Sequence, residues 1–296
     1  MDLKRLVPLA GMPILLVIVE VVALLLSLPV QEAGIAAFEN PESFANPLIF
    51  IGILLVFTLL LLILIKYKFQ KIMAIIIAVS IFFTFIYIFA AITFTLVPDE
   101  LPGLILTFGL AIAATAILYR YPEWYVIDTL GILIAAGAAS IFGVSLDVLP
   151  VIILLALLAV YDAISVYKTK HMITLAEGVI DLKTPILFVI PKKRSYSYVK
   201  EGIGPIGEGG GERGAFIMGM GDLIMPTILV VSANVFIKTG RIGFINAASL
   251  GAIVGSVAGV VLLLWFVNKG KPQAGLPPIN GGAILGFVIG FLAGGW

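Results

Sequence analysis

Nine apolar stretches separated by short polar turns constrain this 296-residue chain more than any other feature. They run over about 6–28, 47–66, 72–97, 101–119, 124–143, 148–167, 215–237, 243–267 and 276–295. Each approaches the ~20 residues that a helix needs to cross a hydrocarbon core ~30 Å thick. Inside lipid every backbone N–H and C=O must be satisfied internally, so each stretch is predicted to be a helix. The expected fold is an all-α polytopic membrane protein with nine transmembrane helices. Composition agrees, since 12% of residues are charged against about 25% in soluble domains. The first stretch follows Lys4-Arg5 as a signal peptide would. Its apolar run is too long for one and lacks a small-x-small cleavage site, so it counts as a helix.

Loop charges set the orientation. With the N-terminus cytosolic, the inner segments hold Lys4, Arg5, Lys66, Lys68, Lys71, Arg120, the cluster from Lys168 to Arg213, Lys269 and Lys271. The outer loops carry Glu32, Glu39, Glu42, Asp99, Glu100 and Asp147, with Lys238 and Arg241 the exceptions, read as snorkelling side chains at a helix end. An odd number of spans then leaves the C-terminus extracytosolic. One hydrophilic insert, 168–214, separates a block of six helices (1–167) from a block of three (215–296). Within it, Ile186–Ile190, a turn at Pro191–Arg194 and Ser195–Val199 read as a hairpin, with a solvated loop as the alternative. The Gly-rich run to Gly214 reads as a linker.

Several chemistries are excluded. A net charge of +1 argues against nucleic acid as a partner, and zero cysteines rule out disulfides, thiolate metal sites and a cysteine nucleophile. The single His171 leaves only oxygen ligands, so zinc hydrolysis is not expected, nor any metal or other cofactor.

The chemistry that remains lies in two carboxylates. Asp162 sits near the end of the sixth span and Asp222 near the start of the seventh, on either side of the insert. A carboxylate within hydrocarbon costs at least a few kcal/mol and marks a functional site by default. Counted at helical rise, Asp162 lies about 9 Å from Lys168, and Asp222 roughly 13 Å from Arg213. Both therefore fall in the cytosolic half of the membrane at similar depth, where antiparallel neighbours bring them together. Two adjacent carboxyls share one proton, so one draws a proton from water while the other polarises an amide carbonyl. Their titration belongs to the pair. Gly219 and Gly221 clear space beside Asp222, Pro226 loosens the helix after it, and Tyr161 can pack against Asp162. Simple pairing of the aspartates with Lys or Ser is the bland alternative, yet no Lys or Arg lies at their depth.

Tyr161-Asp162 on one span and Gly219-Met220-Gly221-Asp222 on the next resemble the signatures of the presenilin and signal-peptide-peptidase family of intramembrane aspartyl proteases. The nine-span, N-in topology agrees over essentially the whole chain. The short insert and the lack of large extra domains resemble the archaeal presenilin homologues most, which implies a prokaryotic cell membrane. The family's third motif, Pro-Ala-Leu, maps onto Ala274-Gly275-Leu276 followed by Pro277, with only Leu276 matching. The resemblance implies that Leu276 and Pro277 shape the cleft and contact substrate backbone. It also implies transmembrane-helix substrates met within the bilayer.

Such a substrate must unwind before hydrolysis. A strand edge offered by the 186–199 hairpin, or the Leu276-Pro277 backbone, is expected to receive it. Glu20 in the first span reads as pairing with a neighbouring helix rather than lining a water path. Asp128 reads as a structural acid at a helix N-terminus, His171 as interfacial, and Tyr119, Tyr121, Trp124 and Tyr125 as an interface belt. Gly251, Gly255, Gly259 and Gly282, Gly286, Gly290 form two doubled GxxxG faces for packing within the chain, with a homo-oligomer as the other use. A proton- or cation-coupled transporter or channel is the competing function. Against it, the chain has no internal repeat and no matching pair of broken helices. An inactive scaffold for membrane helices is a third reading, which the intact aspartates oppose.

Overall fold

Residues with no polar outlet in lipid fold into long helices, and these dominate the computed structural model, which describes residues 3–97, 99–169, 187–193, 195–202, 214–267 and 273–294. The first block comprises α1 (Leu3–Glu32), α2 (Ala45–Lys66), α3 (Gln70–Leu96), α4 (Glu100–Arg120), α5 (Trp124–Ser145) and α6 (Val148–Ile164), and a π-helical turn at Ser165–Thr169 ends α6. After the insert come α8 (Met220–Phe236), α9 (Ala247–Val267) and α10 (Leu276–Ala293). Among the described residues eight helices are long and apolar enough to cross a membrane, and α8, at 17 residues, is a shorter apolar helix. His171 and most of the Gly-rich run lie outside the described residues.

Helix α8 is the hub. Every residue from Pro226 to Asn234 is buried, and α8 packs against α1, α5, α6, α9 and α10. Serine hydroxyls tie this bundle together through carbonyls of neighbouring helices, as small polar groups do in lipid. Ser140 donates to the Ala23 carbonyl at 2.7 Å, Ser232 to Leu146 at 2.8 Å, and Ser249 to Val230 at 2.8 Å. Fully buried Glu20 accepts from Ser256 Oγ of α9 at 2.7 Å, so it does pair with a neighbouring helix. Lys238 Nζ donates to the Val235 carbonyl and Arg241 to that of Asn234. Both cations therefore cap the carbonyl end of α8, where positive charge is favoured.

The two GxxxG faces meet each other. A Cβ added to Gly255 would strike the Gly282 carbonyl, one on Gly251 the Gly286 carbonyl, and one on Gly259 that of Pro278. Backbone therefore packs on backbone along α9 and α10, as the intramolecular reading expects.

Two expectations need correction. The stretch 215–237 is not one helix, because Ala215–Gly219 form strand β2 and α8 starts only at Met220. Asp222 therefore cannot be placed in depth by helical rise from Arg213. The hairpin is also built differently. Strand β1 (Leu187–Pro191) pairs antiparallel with β2, from Leu187↔Gly219 to Pro191↔Ala215. Ser195–Val199 is not its partner, because Ser197 caps a short helix, α7 (Tyr198–Glu201), and accepts from Lys200 N–H. Ser197 and Tyr198 are themselves held by Glu123, which accepts from Ser197 Oγ at 2.7 Å and from Tyr198 N–H at 3.0 Å. Apolar β2 runs straight into apolar α8, and a continuous apolar run does not reveal by periodicity where strand gives way to helix. A second pair, β3 (Arg241–Ile242) and β4 (Ile245–Asn246), makes the tight turn before α9.

Candidate active site

Asp162 lies in the last turn of α6, with its side chain buried and its own carbonyl bonded by Ser165 Oγ at 2.9 Å from the π-helical turn. Such turns occur often at functional sites. One carboxylate oxygen, Oδ2, accepts the Leu276 N–H at 3.0 Å, and the Gly275 N–H is directed at the same carboxyl. Gly275 and Leu276 are the cap and first residue of α10. Free N–H groups and the positive end of the helix dipole therefore face Asp162. Pro277, at the second position of α10, has no N–H to leave unsatisfied there and is half-buried.

Asp222 is the third residue of α8, half-buried, with Gly219 as the helix cap. The Asp222 carboxyl turns back toward Gly219, where an added Cβ would lie 3.5 Å from Oδ2, as a third-position acid does in a capping box. The Gly-x-Gly-Asp spacing is thus a strand end, a cap and a third-position acid in sequence. Gly221 is exposed, and a Cβ there would meet nothing within 4 Å. Tyr161, half-buried, precedes Asp162 on α6.

One short segment reaches both carboxyls, with Gly275 at its centre. A Cβ on Gly275 would sit 3.0–3.1 Å from the Asp222 carboxyl atoms, while its amide faces Asp162. The segment before α10 therefore runs between the two acids. Tyr167 holds this segment from the π-helical turn, donating to Gln273 Oε1 at 2.9 Å and accepting from Ala274 N–H at 3.3 Å. Farther along α10, buried Asn280 donates to the Leu155 carbonyl at 3.1 Å and ties α10 to α6 a second time.

A cleft of about 340 Å³ opens beside Asp222, lined by Ala215–Gly219 of β2, by Lys192, Gln273 and Gly275, and by the apolar Leu263 and Leu264. Lys192 rests its ammonium 4.7 Å from the Phe216 ring centroid at the rim. Which edge of the strand pair is open follows from one bond. Val189 N–H points away from β2 and donates to Asp128 Oδ1 at 2.9 Å. Val189↔Ile217 is therefore a non-hydrogen-bonded pair, and alternate residues Ala215, Ile217 and Gly219 turn their backbone groups outward. The bond from Lys192 N–H to the Gly214 carbonyl, at 2.9 Å, keeps the same alternation. Gly219 lies against the Asp222 carboxyl. Ala215 and Ile217 bond no partner on that side among the described residues.

Of the residues that sequence reasoning names here, the structure sets Leu276 against Asp162 and Gly219 against Asp222, and Pro277 follows Leu276 on α10. Sequence reasoning undervalues Gly275, which appears only as a departure from a motif. Tyr167, Gln273, Glu123 and Asn280 carry no sequence signal for such contacts. Asp128 is a structural acid as expected, but it serves a strand from another part of the chain rather than its own helix.

The site thus sets two acids against a helix terminus and a strand edge within a bundle of long apolar helices. Residues 13–296 match the family model described as signal-peptide peptidase, presenilin aspartyl protease. Two solved structures of a presenilin family intramembrane aspartate protease, in C222 and P2 crystal forms, are similar throughout. The first is 48% identical with a TM-score of 0.72, covering 97% of this chain and 99% of that one. The second is 49% identical with a TM-score of 0.70, covering 96% and 97%. No curated protein matches. The chain belongs to the signal-peptide-peptidase and presenilin family of aspartyl proteases. It is a multi-pass membrane aspartic endopeptidase whose substrates are transmembrane segments, and nothing favours the transporter reading.

Proposed function

We propose that Asp162 and Asp222 are the catalytic pair, hydrolysing a peptide bond of an unwound transmembrane segment. The carrying observation is that Gly275 and Leu276 touch both carboxyls from one short stretch of backbone. One carboxylate takes a proton from water as that water attacks the scissile carbonyl. The other, protonated, hydrogen-bonds the carbonyl oxygen and supplies the proton that the leaving amine needs. The Leu276 N–H steadies the Asp162 carboxylate.

The substrate presents its backbone to the outward edge of β2. Half-buried Ile217 turns an N–H and a C=O toward the cleft that no described residue bonds, and the edge ends at Gly219, beside Asp222. Strand addition there compensates an unwound helix for its lost internal bonds. This replaces the 186–199 hairpin as the receiving surface, while Leu276 and Pro277 form the opposite wall. For the topology, we assign nine spans with the N-terminus cytosolic and α8 as the short seventh. The charge asymmetry of the loops supports that assignment, as do eight long apolar helices with α8 between them. The short 168–214 insert suits a prokaryotic, archaeal-like cell membrane.

The test is purified protein with a labelled single-span substrate in bilayers. Asp162→Asn and Asp222→Asn should each abolish peptide products while the melting temperature holds, and a transition-state-analogue aspartic protease inhibitor should do the same to the unaltered enzyme. Turnover retained in either variant refutes the assignment.

A further inference from the structure

The base of α5 holds the insert with two carboxylates that the reaction does not use. Glu123 bonds Ser197 and Tyr198, and Asp128 bonds Val189. The second of these contacts is unusual. Val189 is buried beneath α5, and its N–H faces away from the β1–β2 ladder, where no strand can satisfy it. A buried N–H left without a partner carries its full desolvation cost. Asp128, half-buried one turn into α5, is the acceptor placed there. The next outward-facing position of β1 is Pro191, which has no N–H to satisfy.

We propose that Asp128 is a positioning residue for proteolysis: by anchoring β1 through Val189 it fixes where the open edge of β2 lies relative to Asp222, and so which peptide bond is cut. The chain of contacts is continuous. Asp128 holds Val189, Val189 opposes Ile217, Ile217 turns its backbone groups to the outward edge, and two residues on Gly219 lies against Asp222. Along a strand, one residue of slip moves the paired segment by about 3.3 Å and turns its side chains to the opposite face. A loosened anchor thus spreads cleavage over neighbouring bonds. This rests on the reading that β2 receives the substrate.

The experiment measures product masses and steady-state kinetics on one single-span substrate in bilayers, with folding checked by melting temperature. Asp128→Ala should turn one dominant product pair into a ladder of neighbouring cuts and lower kcat roughly tenfold, with KM little changed. Asp128→Asn keeps an oxygen acceptor and should restore the dominant cut. Val189→Pro removes the same bond from the donor side without touching the ladder. It should reproduce the Asp128→Ala pattern, and the double variant should add nothing further. An unchanged product pattern in folded Asp128→Ala overturns the proposal; if that variant does not fold, an unchanged pattern in Val189→Pro does so instead. Ile217→Pro, run in parallel, tests the underlying reading: cleavage untouched by that substitution removes β2 as the substrate edge, whatever Asp128 does.

Discussion

Gly275 stands so close to Asp222 that any side chain there displaces the acid: a methyl group would lie 3.0–3.1 Å from the carboxyl carbon and both oxygens. The family motif carries alanine at this point, so a shift of a few tenths of an ångström is the adjustment that a methyl demands. Gly275→Ala should therefore retain turnover, with kcat lowered no more than roughly tenfold. Gly275→Val displaces the acid farther and should cost about a hundredfold or more. The kcat series at constant melting temperature checks this, and equal activity in both variants would contradict it.

Tyr167 supplies the only side-chain hydroxyl that binds the 273–275 segment among the described residues. Tyr167→Phe keeps the ring and loses both bonds, each worth about 0.5–1.5 kcal/mol. Turnover should fall by about threefold to tenfold with little change in KM, and the Ala274 amide should exchange faster with deuterium. Unaltered exchange at Ala274 would show that the segment is held by other means.

The α9–α10 contact leaves no space for added volume. Gly255→Ala pushes a methyl into the Gly282 carbonyl. We expect a loss of roughly 1–3 kcal/mol, the usual cost of overpacking, read as a lower melting temperature in detergent. Gly281→Ala, at a position where a Cβ meets nothing within 4 Å, is the control and should melt like the unaltered protein.

Alkaline pH should open the insert before the bundle. Burial, with Tyr198, Glu201 and Glu123 nearby, pushes the Tyr196 phenol up to about 12, against about 10 for a free tyrosine. Between those values the unfolded segment has lost its proton while the folded one keeps it, so stability is intact below about pH 10 and falls as pH rises towards 12. Proteolysis of the insert should accelerate across that window, and Tyr196→Phe should flatten the dependence. It also deletes the bond from Tyr196 to the Gly202 carbonyl, so its baseline rate should be higher.

Helices and acids were legible because lipid leaves few ways to be wrong. A span of twenty apolar residues has one way to satisfy its backbone, and an aspartate within it needs a reason. What stayed hidden was the change of conformation at Gly219, where the apolar run continues while the backbone turns from strand to helix. Its partner was equally obscure, since Leu187–Pro191 meets Ala215–Gly219 across more than twenty residues of chain. A nearer segment, Ser195–Val199, had the better strand composition, but Ser197 was drawn off as a helix cap held by Glu123. Gly275 could be read only as a mismatch, because the reason for a glycine is what stands beside it.

The interlocked carbonyls of α9 and α10 also govern how the cleft can move. Two rods notched into each other at three levels cannot slide lengthwise independently, so the amide at the head of α10 keeps its height for as long as α9 keeps its own. The bond from the Leu276 amide to Asp162 is thereby referenced to α9.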